Sequence, residues 1–467
     1  MKGRTYENGP TTCMARPNVV RNIVRQLKAS RSLSTGDVQL ALAMGLINAD
    51  SLTLPGFNDG VFYPPTDGPS ILTAHLPAGT TARSMTPRRL ASRAATGTVH
   101  ALALLVDFDD NPGSLPASHF QHLLFDAGNP DSVASIYKDL SRGTLTLTGQ
   151  AVGYVRAPRP YAYYTGGQSG MGTAFPTNTP GLLQDALTEF CRTNSLAPFD
   201  TIGDGYADGV FLIHAGGGAE AQPDPVRRPG MIWSHKWTLP VPFVNDGVRV
   251  YAYSTEPEDG KVGVFAHEFG HVLGLPDLYD TSYQSAGVGE WCLMGGGSWG
   301  GGGDRPTRMS CWCLARLGWI KPKNLRGVHS LTLPTLESDS KSCYRLWTGG
   351  TLGPKYFLIE NRQQTGRDAA LPGHGLAVWL VDDTQSGNKG LLQYQVRLIQ
   401  ADGLRGLETN ADTGDAGDLF PGSSTVTSLT DTTRPSTREF DGTSTGVVLT
   451  SITEDVPTGL IKLDVQT

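Results

Sequence analysis

No two cysteines of this 467-residue chain are spaced as C-x-x-C, although six cysteines are present. A structural zinc site of the usual spacing is therefore not expected. The redox compartment is not evident from the sequence. Whether any of the last five cysteines form a disulfide is therefore undecided at this point. The six stand at positions 13, 191, 292, 311, 313 and 343.

Long apolar runs and an excess of basic charge are also missing. No run approaches the roughly 20 apolar residues that cross a bilayer, so no membrane span is expected. The net charge of −6 argues against a nucleic-acid-binding surface. The opening MKGRTYENGP has no apolar stretch behind its basic residues, so no signal peptide is visible. Either a signal has been removed, or export follows another route, or the protein stays inside the cell.

Glycine and proline are plentiful, with 58 and 31 residues. Charged residues make up 18% of the chain and hydrophobic residues 39%, a balance that suits a folded protein rich in loops and strands.

The pattern along the chain divides it into three regions. Residues 1–95 contain one helical stretch, 17–30, followed by a run rich in Gly, Pro, Ser and Thr. From 96 to 320, buried strands alternate with helices, among them a helix at 131–143 with Asp131 as its N-cap, which predicts an α/β or α+β domain. From 321 to 467, short strands separated by turns predict an all-β, sandwich-like domain.

The sequence HEFGHVLGLPD contains the motif H-E-x-x-H, formed by His267, Glu268 and His271. On a helix, residues four apart share a face, so both imidazoles can bind one ion. Zn²⁺ accepts three protein ligands and keeps a fourth position for water, whose pKa it lowers to near 7. Glu268 can take a proton from that water and pass it to the leaving amine. The five-residue pattern alone also occurs by chance in unrelated proteins.

The residues after the motif predict the third zinc ligand. Gly274 stands where a sharply turning chain needs positive φ, and Pro276 prevents the helix from continuing. A chain that reverses at Gly274 can bring Asp277 back to the same ion, so Asp277 is the predicted third ligand. Asp280 and Glu290 stay open as alternatives, and Asp277 could instead be an ordinary turn carboxylate.

The string H-E-x-x-H-x-x-G-x-x-D resembles the metzincin clan of zinc endopeptidases, in which the last position is usually His and sometimes Asp. More closely, HEFGHVLGLPDLYD resembles the immune-inhibitor-A-type family of secreted bacterial metallopeptidases, peptidase family M6. The stretches LLVDFDDNPG, DGYADGVFLIHAGGGAEA, IWSHKW and CLMGGGSW add to this resemblance. The resemblance is good over residues 96 to about 425, and residues 1–95 resemble a propeptide of this family only loosely.

This resemblance implies an α+β fold with a metzincin-like zinc-peptidase domain at 96–320, built on a mixed sheet and an active-site helix. Residues 1–95 would be a propeptide, residues 321–467 a β-rich C-terminal domain, and the protein would be secreted.

Metzincins carry a methionine-containing turn beneath the metal, and Met294 in CLMGGGSW corresponds to it. Its role would be support of the site rather than ligation, and a buried Met that fills a core gap is the alternative. The clan often has a tyrosine two positions later, where this chain has Gly296. The resemblance therefore does not extend to a tyrosine that stabilises the oxyanion.

Two acidic loops are candidate calcium sites. The first, DTIGDGYAD, places three aspartates at positions one, five and nine of an EF-hand-like loop: Asp200, Asp204 and Asp208. It lacks an oxygen ligand at position three and the final Glu, so an ordinary turn is the alternative. The second, DTGDAGD, has Asp412, Asp415 and Asp418.

Cys13, in TTCMARP, could keep a zymogen inactive, because a thiolate is a good zinc ligand. An ordinary buried or reactive thiol is the alternative. Activating cleavage would fall in the linker that contains Arg83, Arg88, Arg89 and Arg93.

Together these features predict a zinc-dependent endopeptidase that acts on proteins or peptides, with calcium as a candidate second ion. A substrate peptide would lie along an edge strand and add to the sheet by main-chain hydrogen bonds. The alternative is a catalytically silent adhesion or binding protein that keeps the zinc scaffold. The intact Glu268 argues against it, since a structural zinc does not need that carboxylate.

Overall fold

The computed structural model describes residues 11–16, 19 and 95–467, apart from 173, 204, 281–282, 386 and 390–392. Asp204, the arginine-rich linker and nearly all of the predicted helix at 17–30 lie outside the described residues. The chain forms two compact units, Met1–Pro276 and Asp277–Thr467.

A six-stranded mixed sheet organises the first unit, in the spatial order β1-β5-β6-β4-β2-β3. The strands β3, β2, β4 and β6 are parallel, whereas β5 is antiparallel to β6 and β1 is antiparallel to β5. Strand β4, VFLIH, is buried along its whole length, as expected inside a parallel sheet. The strands are β1 (Thr11–Thr12), β2 (Gly97–Asp107), β3 (Leu145–Arg156), β4 (Val210–His214), β5 (His235–Asn245) and β6 (Val248–Pro257).

The helices described in this unit are α1 (Ala117–Phe125), α2 (Val133–Leu140), α3 (Tyr161–Thr165), α4 (Thr179–Phe190) and α5 (Val262–Val272). The sequence predicts the N-cap of α2 at Asp131, but the cap is Ser132, whose hydroxyl accepts a hydrogen bond from the Ser135 N–H.

The two faces of the sheet are covered by different helices. Leu212 of β4 shares a buried cluster with Leu183 of α4. Phe211, the preceding residue of β4, stacks on Phe269 of α5 with ring centroids 5.9 Å apart. Because successive residues of a strand point to opposite faces, α4 and α5 lie on opposite sides of the sheet.

The second unit contains a five-stranded sheet in the order β14-β11-β10-β9-β7 and a three-stranded sheet in the order β15-β16-β8. One buried cluster joins Phe357 and Val378 of the larger sheet to Leu463 and Val465 of the smaller one, which is sandwich packing. Its strands are β7 (Lys323–Leu325), β8 (Val328–Leu333), β9 (Cys343–Trp347), β10 (Lys355–Arg362), β11 (Gly375–Asp382), β14 (Val396–Leu398), β15 (Val448–Asp455) and β16 (Leu460–Gln466), with a small hairpin of β12 (Asn388–Lys389) and β13 (Gln393–Tyr394). The helices are α6 (Cys311–Arg316) and α7 (Gly406–Thr409).

The predicted mixture of helices and strands is confirmed. The compact units divide after Pro276, within the predicted 96–320 domain, and the predicted domain limits, the metzincin-like fold and the propeptide stay predictions. None of the six cysteines, all of which the structure describes, forms a disulfide. None of the helices in the described ranges has the length and apolar character needed to span a bilayer.

Candidate active site

The H-E-x-x-H motif lies on α5, an eleven-residue helix in which every residue is buried. The helix ends in a Schellman motif at Gly274, which has φ +95°. The Leu275 N–H donates to the Gly270 carbonyl at 3.0 Å, and the Gly274 N–H donates to the His271 carbonyl at 2.9 Å. The predicted sharp reversal at Gly274 is therefore present.

This turn also orients the second histidine. His271 Nδ1 lies 2.8 Å from the Leu275 carbonyl oxygen. Because a carbonyl only accepts, Nδ1 carries the proton and donates it, which leaves the lone pair of Nε2 for a metal. The residue that follows the helix-ending glycine thus fixes the tautomer of a candidate ligand.

The two imidazoles face one point. Their Nε2 atoms lie 3.0 Å apart, and the rings are close to perpendicular at 85°. Two nitrogens bound to one tetrahedral zinc, each at roughly 2.0–2.1 Å, lie about 3.3 Å apart. His267 and His271 therefore have a spacing that fits a shared zinc ion.

Glu268 belongs to the same cluster. One carboxylate oxygen of Glu268 and one nitrogen of each histidine all lie within 4.8 Å of one another, and all three residues are buried. Two nitrogen ligands beside a carboxylate form a donor set that suits zinc, with the carboxylate near enough to serve as a base.

Aromatic packing and one hydrogen bond hold α5 in place. The Tyr137 hydroxyl, on α2, donates to the Ala266 carbonyl at 2.7 Å. Its ring meets Phe269 edge-on, with centroids 4.8 Å apart. Phe265 packs against Phe211 of the central strand β4. Sequence reasoning missed Tyr137, because it lies 129 positions before Ala266 and belongs to no motif.

The predicted third ligand, Asp277, is fully buried. Its neighbour Leu278 is fixed on both sides: the Leu278 N–H donates to the Met294 carbonyl at 2.8 Å, and the Leu278 carbonyl accepts from Asn388 Nδ2 at 2.7 Å. Met294 is itself fully buried and followed by a tight turn in which the Gly295 N–H donates to the Cys292 carbonyl. The predicted methionine turn thus supports the backbone beside Asp277, whose ligand role stays a prediction.

The two alternative third ligands have other contacts. Asp280 Oδ2 accepts hydrogen bonds from the Ser285 N–H at 3.0 Å and the Ser285 hydroxyl at 2.9 Å. Glu290 Oε1 accepts from the Thr413 hydroxyl at 2.7 Å. Asp280 therefore stabilises a local turn, whereas Glu290 joins two segments of the second unit that are 123 positions apart.

In the first predicted calcium loop, the two described aspartates accept hydrogen bonds from backbone amides, most of which belong to the loop itself. Asp200 accepts from the N–H groups of Gly203 and Gly205, at 2.7 and 2.9 Å. Asp208 accepts from the N–H groups of His100 and Thr201, at 2.9 and 3.3 Å. The calcium prediction for Asp200, Asp204 and Asp208 stays a prediction.

At the second predicted calcium loop, the aspartates that come together differ from the predicted set. Asp415 and Asp418 come together with Asp402, and one oxygen of each lies within 4.8 Å of the others. Asp412 instead accepts from the Gly414 N–H at 3.0 Å. Burial raises the pKa of Asp418 to about 7. Sequence reasoning missed Asp402 because it lies ten positions before the start of the DTGDAGD motif, in a separate turn.

The residues around Cys13 extend the sheet of the first unit. β1 pairs with the start of β5, and the Cys13 N–H donates to the Ser234 carbonyl at 3.0 Å. The Cys13 carbonyl accepts from Trp233 Nε1 at 2.9 Å, and the Cys13 side chain is fully buried. Further along, the Arg16 N–H donates to the Glu220 carbonyl at 2.9 Å. This segment therefore lies along β5 as an added strand.

Comparison with known proteins shows what this chain is similar to. Residues 96–320 match the family described as immune inhibitor A peptidase M6, catalytic domain. The pre-pro-metalloprotease PrtV of Vibrio cholerae serotype O1 is 34% identical over 265 residues, which cover 45% of this chain and 28% of PrtV. Immune inhibitor A of Bacillus thuringiensis subsp. alesti is 31% identical over 261 residues, or 45% of this chain and 38% of that protein. The chain thus matches between a quarter and two fifths of the length of these relatives.

Proposed function

Residues 96–320 belong to the immune inhibitor A peptidase M6 family, and from that premise we propose that this chain is a zinc-dependent endopeptidase made as a zymogen. The observation that carries the proposal is the geometry on α5, where two Nε2 atoms 3.0 Å apart share a buried cluster with the Glu268 carboxylate. Asp277 would complete a His, His, carboxylate ligand set. The substrates would be proteins or peptides, and by family resemblance the enzyme would act outside the cell.

A bound Zn²⁺ would supply Lewis acidity, polarising the peptide carbonyl and lowering the pKa of a water molecule to near 7. Glu268 would accept the proton of the attacking water and deliver it to the leaving nitrogen. The backbone of β5 would hold an extended substrate by strand addition. The packing of Phe265 and Phe269 would keep α5, and hence Glu268, in a fixed position during the reaction.

The zymogen proposal draws support from the strand that the N-terminal segment adds to β5. A peptide that pairs with β5 at this place would need the same backbone groups that now bind Thr11, Thr12 and Cys13. The segment would therefore compete with substrate, and the Cys13 thiol is the candidate that acts on the metal. Calcium at the acidic loops is part of the same proposal.

The test compares wild type with Glu268→Ala, each intact and after limited trypsin treatment. Metal content would be measured by atomic emission, and proteolysis by casein cleavage. We expect about one zinc in each protein, and cleavage only by trimmed wild type, with a loss of at least about 100-fold in the variant. Zinc in both proteins but cleavage by neither would favour the silent scaffold, and wild type without zinc would refute the proposal.

A further inference from the structure

A cavity of about 320 Å³ opens in the second unit, between the turn that follows β14 and the segment 433–440. Its walls carry four arginines: Arg397, Arg405, Arg434 and Arg438. This is a high density of fixed positive charge for one cavity in a chain whose formal net charge is −6.

The acidic side chains of the cavity are already paired. Glu408 accepts a hydrogen bond from Arg397 Nε at 2.9 Å and a short one from Gln400. Glu439 accepts from Lys355 Nζ at 3.2 Å. Neither carboxylate is therefore left to neutralise the other arginines.

Two of the arginines remain uncommitted. Arg438 donates to the carbonyls of Asp431 and Gly442, at 2.9 and 2.7 Å. Arg405 and Arg434 are exposed, and neither guanidinium has a hydrogen-bond or ion-pair partner among the residues that the structure describes. The cavity thus presents two free guanidinium groups.

The guanidinium groups of Arg405 and Arg397 repel each other, and the Arg405 backbone is in a disfavoured conformation. Arg405 has a left-handed backbone with φ +61°, which disfavours a residue that has a Cβ atom. Burial lowers the pKa of Arg397, and the nearby charge of Arg405 lowers it further, against the opposing effect of Glu408. An anion between these guanidinium groups would relieve their repulsion.

We propose that this cavity binds an acidic carbohydrate, a sugar that carries carboxylate or sulfate groups. Guanidinium forks bind planar or tetrahedral oxyanions through paired hydrogen bonds. The side chain of Ser436 and the exposed part of Phe440, whose ring also lies against the Arg397 guanidinium, add polar and apolar contacts for the sugar itself. An acidic peptide would bind here through its carboxylates alone, because the edge strand β14 has only three residues, too few for strand addition.

The experiment titrates the full-length chain with four probes in a calorimeter. The probes are an oligogalacturonate that carries carboxylates only, an oligosaccharide that carries sulfate groups only, an uncharged oligosaccharide of equal length, and hexaglutamate. The variants are Arg405→Gln with Arg434→Gln, Arg434→Gln alone, and Arg326→Gln as an exposed arginine outside the cavity. Circular dichroism and Tm test whether each variant folds. If the double variant does not fold, Arg434→Gln alone replaces it in the titrations.

We expect one or both acidic oligosaccharides to bind. Comparison of the carboxylated and the sulfated probe shows which anion the cavity prefers. The uncharged sugar should not bind, the double variant should bind at least tenfold more weakly, and Arg326→Gln should equal wild type. Binding of neither acidic sugar, or equal loss in Arg326→Gln, would overturn the proposal. Hexaglutamate that binds as tightly as the sugars, and loses affinity in the double variant, would overturn it in favour of an acidic peptide.

Discussion

At the scale of single residues, the central assignment is the third metal ligand. Asp277 and Asp280 are both buried and only three positions apart, but Asp280 already accepts two hydrogen bonds from Ser285. Loss of Asp277 would remove the proposed ligand, whereas loss of Asp280 would weaken a turn.

We therefore predict that Asp277→Ala lowers zinc affinity at least about tenfold, while Asp280→Ala keeps zinc and loses about 1–3 kcal/mol of unfolding free energy. Competition with a chromogenic chelator measures the first effect, and urea unfolding the second. The opposite pattern, with zinc lost only in Asp280→Ala, would reassign the ligand.

Asp418 gives a pH-dependent prediction at the same scale. Burial raises its pKa to about 7, above its unfolded value of about 3.9. The folded state therefore keeps a proton that the unfolded state has lost, so this contribution to stability is complete below about pH 4 and is lost as pH rises through 7. By pH 8 the loss from this group approaches about 4 kcal/mol.

Asp418→Asn mimics the protonated acid and should flatten the fall in Tm between pH 5 and pH 8 in calcium-free buffer. Added calcium should raise the Tm of wild type at pH 8 and have little effect on the variant. Asp339→Asn, at a partly exposed turn, is the matched control. An unchanged pH slope in Asp418→Asn would show that this carboxyl is ionised throughout.

At the scale of elements, the end of α5 determines the position of His271. The glycine at 274 adopts a backbone conformation that alanine rarely takes, and Leu275 holds the His271 ring. We predict that Gly274→Ala lowers the unfolding free energy by about 1–2 kcal/mol and also weakens zinc binding.

Thermal unfolding with and without zinc tests the Gly274 prediction. Gly230→Ala is the matched control, because no atom lies within 4 Å of the added Cβ at that position. A variant that loses stability but binds zinc as wild type would show that the turn does not orient the ring.

Local elements were also what the sequence predicted best. The spacing of His267 and His271 and the glycine that ends α5 depend on neighbours within a few positions, so helix periodicity and capping rules suffice. Contacts that depend on chain folding could not be predicted, such as Tyr137 with Ala266 or Asp402 with Asp418, because no local pattern marks them. The N-cap of α2 was misplaced by one residue, since Asp131 and Ser132 are both good caps.

At the scale of the whole molecule, latency would depend on the N-terminal segment. We predict that Cys13→Ser raises the activity of the intact chain at least about tenfold, because a serine hydroxyl is a much poorer zinc ligand than a thiolate. The initial rate on a quenched fluorescent peptide measures this, with Cys191→Ser, a partly buried cysteine that forms no disulfide, as control. Equal rates for wild type and Cys13→Ser would leave strand pairing alone as the cause of latency.

The strand pairing of that segment also bears on solubility. With Thr11 and Thr12 in place, the start of β5 is covered, and its backbone groups are hydrogen-bonded. Removal of the segment would leave this edge open, and an open edge pairs with any extended chain, including a second copy of the same protein. Activation would therefore create, in one step, a surface that recruits substrate and a surface prone to self-association.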